Sequence, residues 1–195
     1  MRILVACEFS GIVRSAFTKL GHDAWSCDLL PTEIEGNHIQ DDVLKILNDG
    51  WDLMIAHPPC TYLVTRAASW KHKPGYEENR KQAIEFFMSL INAPINKICV
   101  ENPVGSMSTI YRKPDQYIQP WQFGHPQRKR TGLWLKNLPL LIPTNIIEPE
   151  KPAFIDRQGK PRYFVDSLSP SPERWKIRSR TFLGIAQAMA EQWGK

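Results

Sequence analysis

Several stretches of this chain set a reactive side chain beside residues that stop a strand or turn it into a helix. In Asp52-Leu53-Met54-Ile55-Ala56-His57-Pro58-Pro59-Cys60, an apolar run of strand length ends abruptly. Two successive prolines lack an N–H and hold φ fixed, so the strand cannot continue and the corner is stiff. A thiol is thereby placed at a strand's carboxyl end, where open α/β sheets bind ligands. Taken alone, Cys60 is either a reactive group or an inert packing residue, since free cysteine is among the most buried residue types. Lys97-Ile98-Cys99-Val100-Glu101 repeats the pattern with a carboxylate, just before Asn102-Pro103. A basic run, His125-Pro126-Gln127-Arg128-Lys129-Arg130, precedes a further apolar stretch.

The elements that must position these groups alternate in type. Residues 2–7 are a near-continuous apolar run. After Glu8-Phe9-Ser10-Gly11, the residues Ile12, Val13, Ala16, Phe17 and Leu20 fall at helical spacing, with Gly21 as the cap. Strand, tight glycine turn and helix open a Rossmann-like unit, with Gly11 allowing close backbone approach and the helix N-terminus pointing free N–H groups at a ligand. No GxGxxG run is present, which disfavours a dinucleotide. Residues 22–28 read as a second strand ending in Asp28, either a ribose-binding carboxylate or a surface aspartate. Residues 40–43 read as a third strand tip before a short helix over 43–48, and 52–56 as the fourth strand. Residues 62–75 form a basic and aromatic loop, 76–92 a helix and 97–101 a fifth strand. From 104 to 131 the chain reads as loop, with one more strand at 132–135. Residues 139–176 carry seven prolines and read as extended or lightly structured, and Phe182, Ile185, Ala186, Met189, Ala190 and Trp193 mark a final amphipathic helix. The alternation indicates a mostly parallel sheet covered by helices on both faces.

Composition narrows the function. The chain has 195 residues and net charge +5. Residues 1–100 carry 10 Lys/Arg against 12 Asp/Glu, whereas residues 101–195 carry 15 against 8, an asymmetry that suits a polyanionic partner or simply keeps the protein soluble. No apolar run approaches a membrane span and the N-terminus lacks a signal-peptide layout, so a cytoplasmic protein is expected. Cys7, Cys27, Cys60 and Cys99 show no CxxC pairing, which argues against a zinc site or a disulfide framework. Cys7, Cys27 and Cys99 read as packing residues.

Taken together and in chain order, these strand ends resemble the DNA cytosine 5-position methyltransferases. Glu8-Phe9-Ser10-Gly11 is similar to the family's Phe-x-Gly cofactor turn. Asp28 and Asp42 fall where its ribose-binding and adenine-amine-binding acids would be. His57-Pro58-Pro59-Cys60 resembles the Pro-Pro-Cys nucleophile motif, Glu101-Asn102-Pro103 the Glu-Asn-Val motif, and residues 123–130 the Gly-x-Pro-Gln-x-Arg-x-Arg segment. Residues 179–181 with the last helix loosely match the closing motif. The likeness covers most of residues 3–135. It implies a Rossmann-like S-adenosylmethionine-dependent methyltransferase fold, with a catalytic domain at 1–138, a proline-rich segment at 139–178 and a C-terminal helix at 179–195 packing back on that domain.

The resemblance also implies a chemistry. Cytosine C5 is a poor nucleophile until something adds to C6. Cys60 would add there, and Glu101, with a pKa raised by burial, would act as the acid at N3. Arg130, with Arg128, would fix the O2 edge and lower the thiol pKa. Phe9, Ser10, Gly11, Asp28, Asp42 and Pro58 would hold S-adenosylmethionine. On duplex DNA the base would have to be extruded, and Trp70, Lys71, Tyr111, Arg112 and Trp121 could contact the strand.

The sequence departs from the family at named positions. The two glycines before Pro-Pro-Cys are Ala56 and His57, Gln127 and Arg128 are adjacent, Val13 replaces a glycine, and Thr61-Tyr62-Leu63 follows Cys60. The family's sizeable recognition domain has only residues 136–178 in its place. Such a compact form resembles methylase-like proteins of bacteriophages and prophages, working in a bacterial or phage-infected cell. Specificity would be relaxed or supplied by a protein partner. Two other readings are the same chemistry on a free cytosine nucleotide or modified base, and a non-catalytic nucleic-acid-binding module.

Overall fold

The run Ile3-Leu4-Val5-Ala6 is wholly buried because its strand lies inside a sheet with both faces covered. The computed structural model describes residues 1–169, 171 and 173–195; Pro170 and Pro172 of the proline-rich span lie outside them. In chain order the elements are β1 (Arg2–Ala6), α1 (Ile12–Lys19), β2 (Asp23–Asp28), β3 (His38–Gln40), β4 (Leu53–Ala56), α2 (Tyr76–Ile91), β5 (Lys97–Pro103), α3 (Met107–Ile110), β6 (Gln116–Ile118), β7 (Thr131–Lys136), β8 (Phe154–Ile155), β9 (Pro161–Arg162), α4 (Phe164–Ser167), α5 (Arg174–Ser179) and α6 (Leu183–Trp193). The main sheet runs β3-β2-β1-β4-β5-β7-β6. β1 to β5 are parallel, β7 runs antiparallel to β5, and β6 runs antiparallel to β7. The protein is therefore α/β with a mostly parallel seven-stranded sheet.

Strand alternation divides the core in two. Ile3, Val5, Leu53, Ile55 and Cys99 face α1 and α6, meeting Val13, Phe17, Ile185, Met189 and Trp193. Leu4, Ala6, Met54, Ala56, Ile98 and Val100 face α2, meeting Phe87, Leu90 and Ile91. The order β3-β2-β1-β4-β5 reverses direction of growth between β1 and β4, and such a switch point leaves a crevice beyond the strands' carboxyl ends. β4 puts Ala56 level with Ala6 of β1 and Val100 of β5, so whatever follows those three residues gathers at the crevice.

Several expectations are corrected. The helix anticipated over 43–48 is a single 3₁₀ turn at Val43–Lys45, where the Asp42 carboxylate accepts from the Leu44 N–H at 3.0 Å. Ile46 caps it, its N–H donating to the Val43 carbonyl at 3.1 Å. Residues 104–131 are not loop throughout: they hold α3, β6 and a 3₁₀ turn at Pro120–Gln122. A three-residue edge strand between Pro114 and Pro120 is too short to show a period. The proline-rich segment is lightly structured rather than extended throughout. It forms the β8–β9 hairpin and the helices α4 and α5. Asp156 holds the hairpin turn, accepting from the N–H groups of Gln158 and Lys160 at 2.9 Å each and from Arg162, while Gly159 supplies the left-handed φ of 74°.

The α1–α6 layer covers one whole face of the sheet, and Phe17 at its centre is fully buried. Phe17→Ala is expected to lower stability by about 3–5 kcal/mol in urea unfolding, as large-to-small core changes do. Leu20→Ala on the same helix, half exposed, is expected to change it little.

Candidate active site

The corner after β4 is braced from three sides. The His57 N–H donates to the Ala6 carbonyl at 2.9 Å, extending the β1–β4 ladder by one step. The buried Asn102 amide donates to the Pro58 carbonyl at 3.0 Å, tying the proline pair to β5. After the corner, the Cys60 carbonyl accepts from the N–H groups of Leu63 and Val64 at 2.9 and 3.1 Å, which turns the chain back. Ser106 donates through its N–H and hydroxyl to the Leu63 carbonyl at 2.7 and 3.0 Å. Gly105 lies so close to that carbonyl that any side chain would overlap it. Cys60 is thus held, half-buried, on a fixed turn.

Glu101 lies inside β5 rather than at its end, because pairing with β7 continues to Pro103. Its carboxylate Oε2 is 2.6 Å from His57 Nδ1, and the two side chains are 14% and 10% exposed. Burial pushes the Glu101 pKa up, but the hydrogen bond and charge of His57, the Lys129 ammonium and the Thr131 hydroxyl outweigh it, and the net shift is downward. This corrects the expectation of a carboxyl raised by burial: Glu101 is a carboxylate in the free protein. Cys60 moves the other way, pushed up by burial and by the Glu101 charge against the opposing pull of Lys129 and Arg178.

The cations next to the thiol are also not the expected ones. Arg130 stacks on the Tyr117 ring at 4.0 Å, and Arg128 lies over Tyr163 at 5.2 Å with its N–H and guanidinium bonded to Glu150. Lys129, between them, turns inward and donates to the Arg178 carbonyl at 2.7 Å. Residues in an extended run alternate in direction, and that period is the signal that would have singled out Lys129. The buried Gln127 Oε1 has no hydrogen-bond partner. Glu101, Lys129, Thr131 and Phe182 line a crevice of about 10 Å³, room for about one water molecule.

On the other side of the switch point, the helix N-terminus is occupied by the protein itself. The buried Glu8 carboxylate accepts from the N–H groups of Val13 and Arg14 at 2.6 and 3.2 Å and from the Ser10 hydroxyl at 3.2 Å. The N–H groups expected to be free for a ligand are therefore taken. Gly11, at φ 71°, faces Arg14, whose buried guanidinium holds the 34–37 loop through the carbonyls of Ile34, Glu35 and Asn37. Neither Glu8 nor Arg14 was singled out by sequence reasoning. Asp28 accepts from the Leu30 N–H at 3.0 Å, and burial raises its pKa. Burial, then the charges of Asp28, Cys27 and Asp42, push the Cys7 thiol far up, which puts both aspartates in the neighbourhood of β1's end. Cys27 and Cys99 are buried packing residues, and Cys7, half-buried with φ 58°, packs against the same α2-side core as Cys27.

Phe9 is covered by α5: its ring meets Trp175 at 5.6 Å, and Arg180 makes a two-pronged pair with Glu33 at 2.9 and 2.7 Å. Of the residues expected at a nucleic-acid surface, Arg112 is held by Asp115 at 2.8 Å and by the Leu135 carbonyl, and Trp70 packs on Tyr62. Trp121 Nε1 is buried without a partner. Among the described residues no cluster of His, Cys, Asp and Glu could hold a metal ion, and no helix is long and apolar enough to cross a membrane. No model of a known protein family matches the chain, and no curated protein matches it.

The sign of the Glu101 shift has a measurable consequence. A carboxylate lowered on folding contributes stability that is full above its unfolded value, 4.5, and is lost as pH falls through the lower folded value. The stability difference between wild type and Glu101→Gln is therefore expected to be constant above about pH 5 and to shrink on further acidification, read from urea midpoints across pH.

Proposed function

We propose that the protein is an S-adenosylmethionine-dependent methyltransferase that acts on the 5-position of cytosine in DNA, with Cys60 as the nucleophile. The observation that carries this reading is that Glu101, bonded to His57 of the corner that bears Cys60, acts after burial to raise the Cys60 pKa, across the switch point from Glu8 at the start of α1 and from Asp28 and Asp42. A Rossmann-like methyltransferase fold is the finer reading of the sheet.

The acidic turn also discriminates between cofactors. A helix N-terminus open to solvent attracts phosphate, but here Glu8 already fills it and Asp28 and Asp42 stand nearby. Such a place repels a phosphate-bearing nucleotide and suits a ligand with a ribose, a sulfonium and no phosphate. Asp28 and Asp42 would accept from hydroxyl or amino groups, the Phe9 ring and the backbone at Ser10 and Gly11 would flank the adenosine, and Pro58, its carbonyl engaged by Asn102, would contribute its ring. When bound, S-adenosylmethionine supplies an electrophilic methyl group. Because Trp175 lies on Phe9, entry requires α5 to yield.

The chain's own groups then have distinct tasks. Cys60 adds to C6. Glu101, kept ionised, faces the N3–amino edge, accepts a hydrogen bond from the exocyclic amino group, and stabilises the proton that N3 takes from solvent water as the thiolate adds. Lys129 takes the electrostatic role beside the thiol that was expected of Arg130 and Arg128, which are engaged with Tyr117 and Glu150. The positive charge of residues 101–195 favours polyanionic DNA over a mononucleotide with a single phosphate.

Incubation with S-adenosylmethionine labelled in its methyl group is the test. Label is expected in cytosine-containing oligonucleotides and not in deoxycytidine monophosphate. Cys60→Ala is expected to abolish transfer, by at least about a thousandfold, while cofactor affinity is kept. Transfer to the mononucleotide alone would shift the substrate class, and undiminished transfer by Cys60→Ala would overturn the reading.

A further inference from the structure

Cys60 poses a problem that the turn around it answers. Its thiol is pushed up by burial and by Glu101, and the arginines expected to activate it are engaged elsewhere. A thiol is a weak nucleophile until it loses its proton, so it needs an acceptor. Three residues upstream, on the same proline-stiffened corner, stands an imidazole whose second nitrogen is unused. His57 Nδ1 is 2.6 Å from Glu101, its ring is 10% exposed, and Nε2 is buried with no hydrogen-bond partner. Buried polar atoms are nearly always paired, so one left open on a ring bonded to the same Glu101 whose charge acts on Cys60 calls for a function.

We infer that His57 is the proton acceptor for Cys60, oriented by Glu101, so that the three side chains form a Cys–His–Glu relay. An ionised carboxylate only accepts, so the 2.6 Å bond fixes the proton on Nδ1 and leaves the lone pair of the neutral ring on Nε2. The Sγ–H proton passes to Nε2 through one water, and the freed sulfur electron pair forms the bond to C6 as the C5=C6 π bond breaks and its electrons shift into the ring. His57 becomes an imidazolium whose charge Glu101 neutralises through Nδ1–H. When the carbon–sulfur bond breaks, the electron pair returns to sulfur and the proton from Nε2 can follow. The arrangement has the logic of a nucleophile, a base and an orienting carboxylate. The charged groups around the corner are Glu101 from β5, Lys129 from the segment before β7 and Arg178 from α5, the last two favouring the thiolate once formed. The bracing of the corner by Ala6 and Asn102 keeps ring and thiol on one rigid turn.

This inference rests on Cys60 as the nucleophile, but its test reads the thiol without cofactor or DNA, so it can fail while methyl transfer succeeds, and the reverse. Iodoacetamide alkylation of Cys60 in the full chain is followed by mass spectrometry of the Cys60 peptide. At about pH 7.5, His57→Gln is expected to slow alkylation about tenfold or more, and at about pH 10, where hydroxide removes the proton, the difference is expected to close. Glu101→Gln, which keeps the ring but removes its ionised partner, is expected to slow it by about threefold at the lower pH. Unchanged or faster rates at the lower pH in both variants would overturn the relay. An equal slowing by His57→Gln at both pH values would also overturn it, since that is the mark of a disturbed turn.

Discussion

A carboxylate carried into the sheet has to be paired, and around Glu101 that requirement organises the site. Removing an ionised group from water is costly unless hydrogen bonds and opposite charge replace the lost solvent. Glu101 meets the requirement with His57 from the end of β4, Thr131 from β7 and the charge of Lys129. The partners come from two segments, the end of β4 and residues 129–131, so satisfying one charge ties β5 to two other pieces of chain. The sheet register does the coarse placement, with Ala56 level with Val100, and the buried charge does the fine placement.

The same rule operates across the switch point. Glu8 is as buried as a core residue, and it is paired with the N–H groups of the first turn of α1, where the helix presents partial positive charge. The two carboxylates thus flank the crevice, one bonded to a helix end and the other to an imidazole. A place that has already spent its anion-binding capacity on its own side chain selects against phosphate. That selection is the physical link between the fold and the proposed cofactor.

Much of this was legible in the sequence. The parallel strands announced themselves as apolar runs, because burial on both faces removes the polar alternation. Cys60 and Glu101 were visible because prolines follow or precede them closely. The burial of Glu101 was also foreseeable, but not the sign of its pKa shift, which depends on His57, a residue 44 positions away in sequence. Arg128 and Arg130 drew attention by charge, yet direction along an extended run decides which side chain faces inward, and that one is Lys129. β6, α3 and the β8–β9 hairpin were missed because each element is shorter than two periods of its own pattern and lies in a proline-rich stretch.

The central claim is that Cys60 forms a covalent bond to a cytosine ring. An oligonucleotide containing 5-fluorocytosine blocks the elimination that would release that bond, so incubation with it and S-adenosylmethionine should accumulate the adduct. The expected result is a protein–DNA species that survives denaturation and whose digest carries the base on the Cys60 peptide. Binding of oligonucleotide and cofactor with no such species would contradict the account.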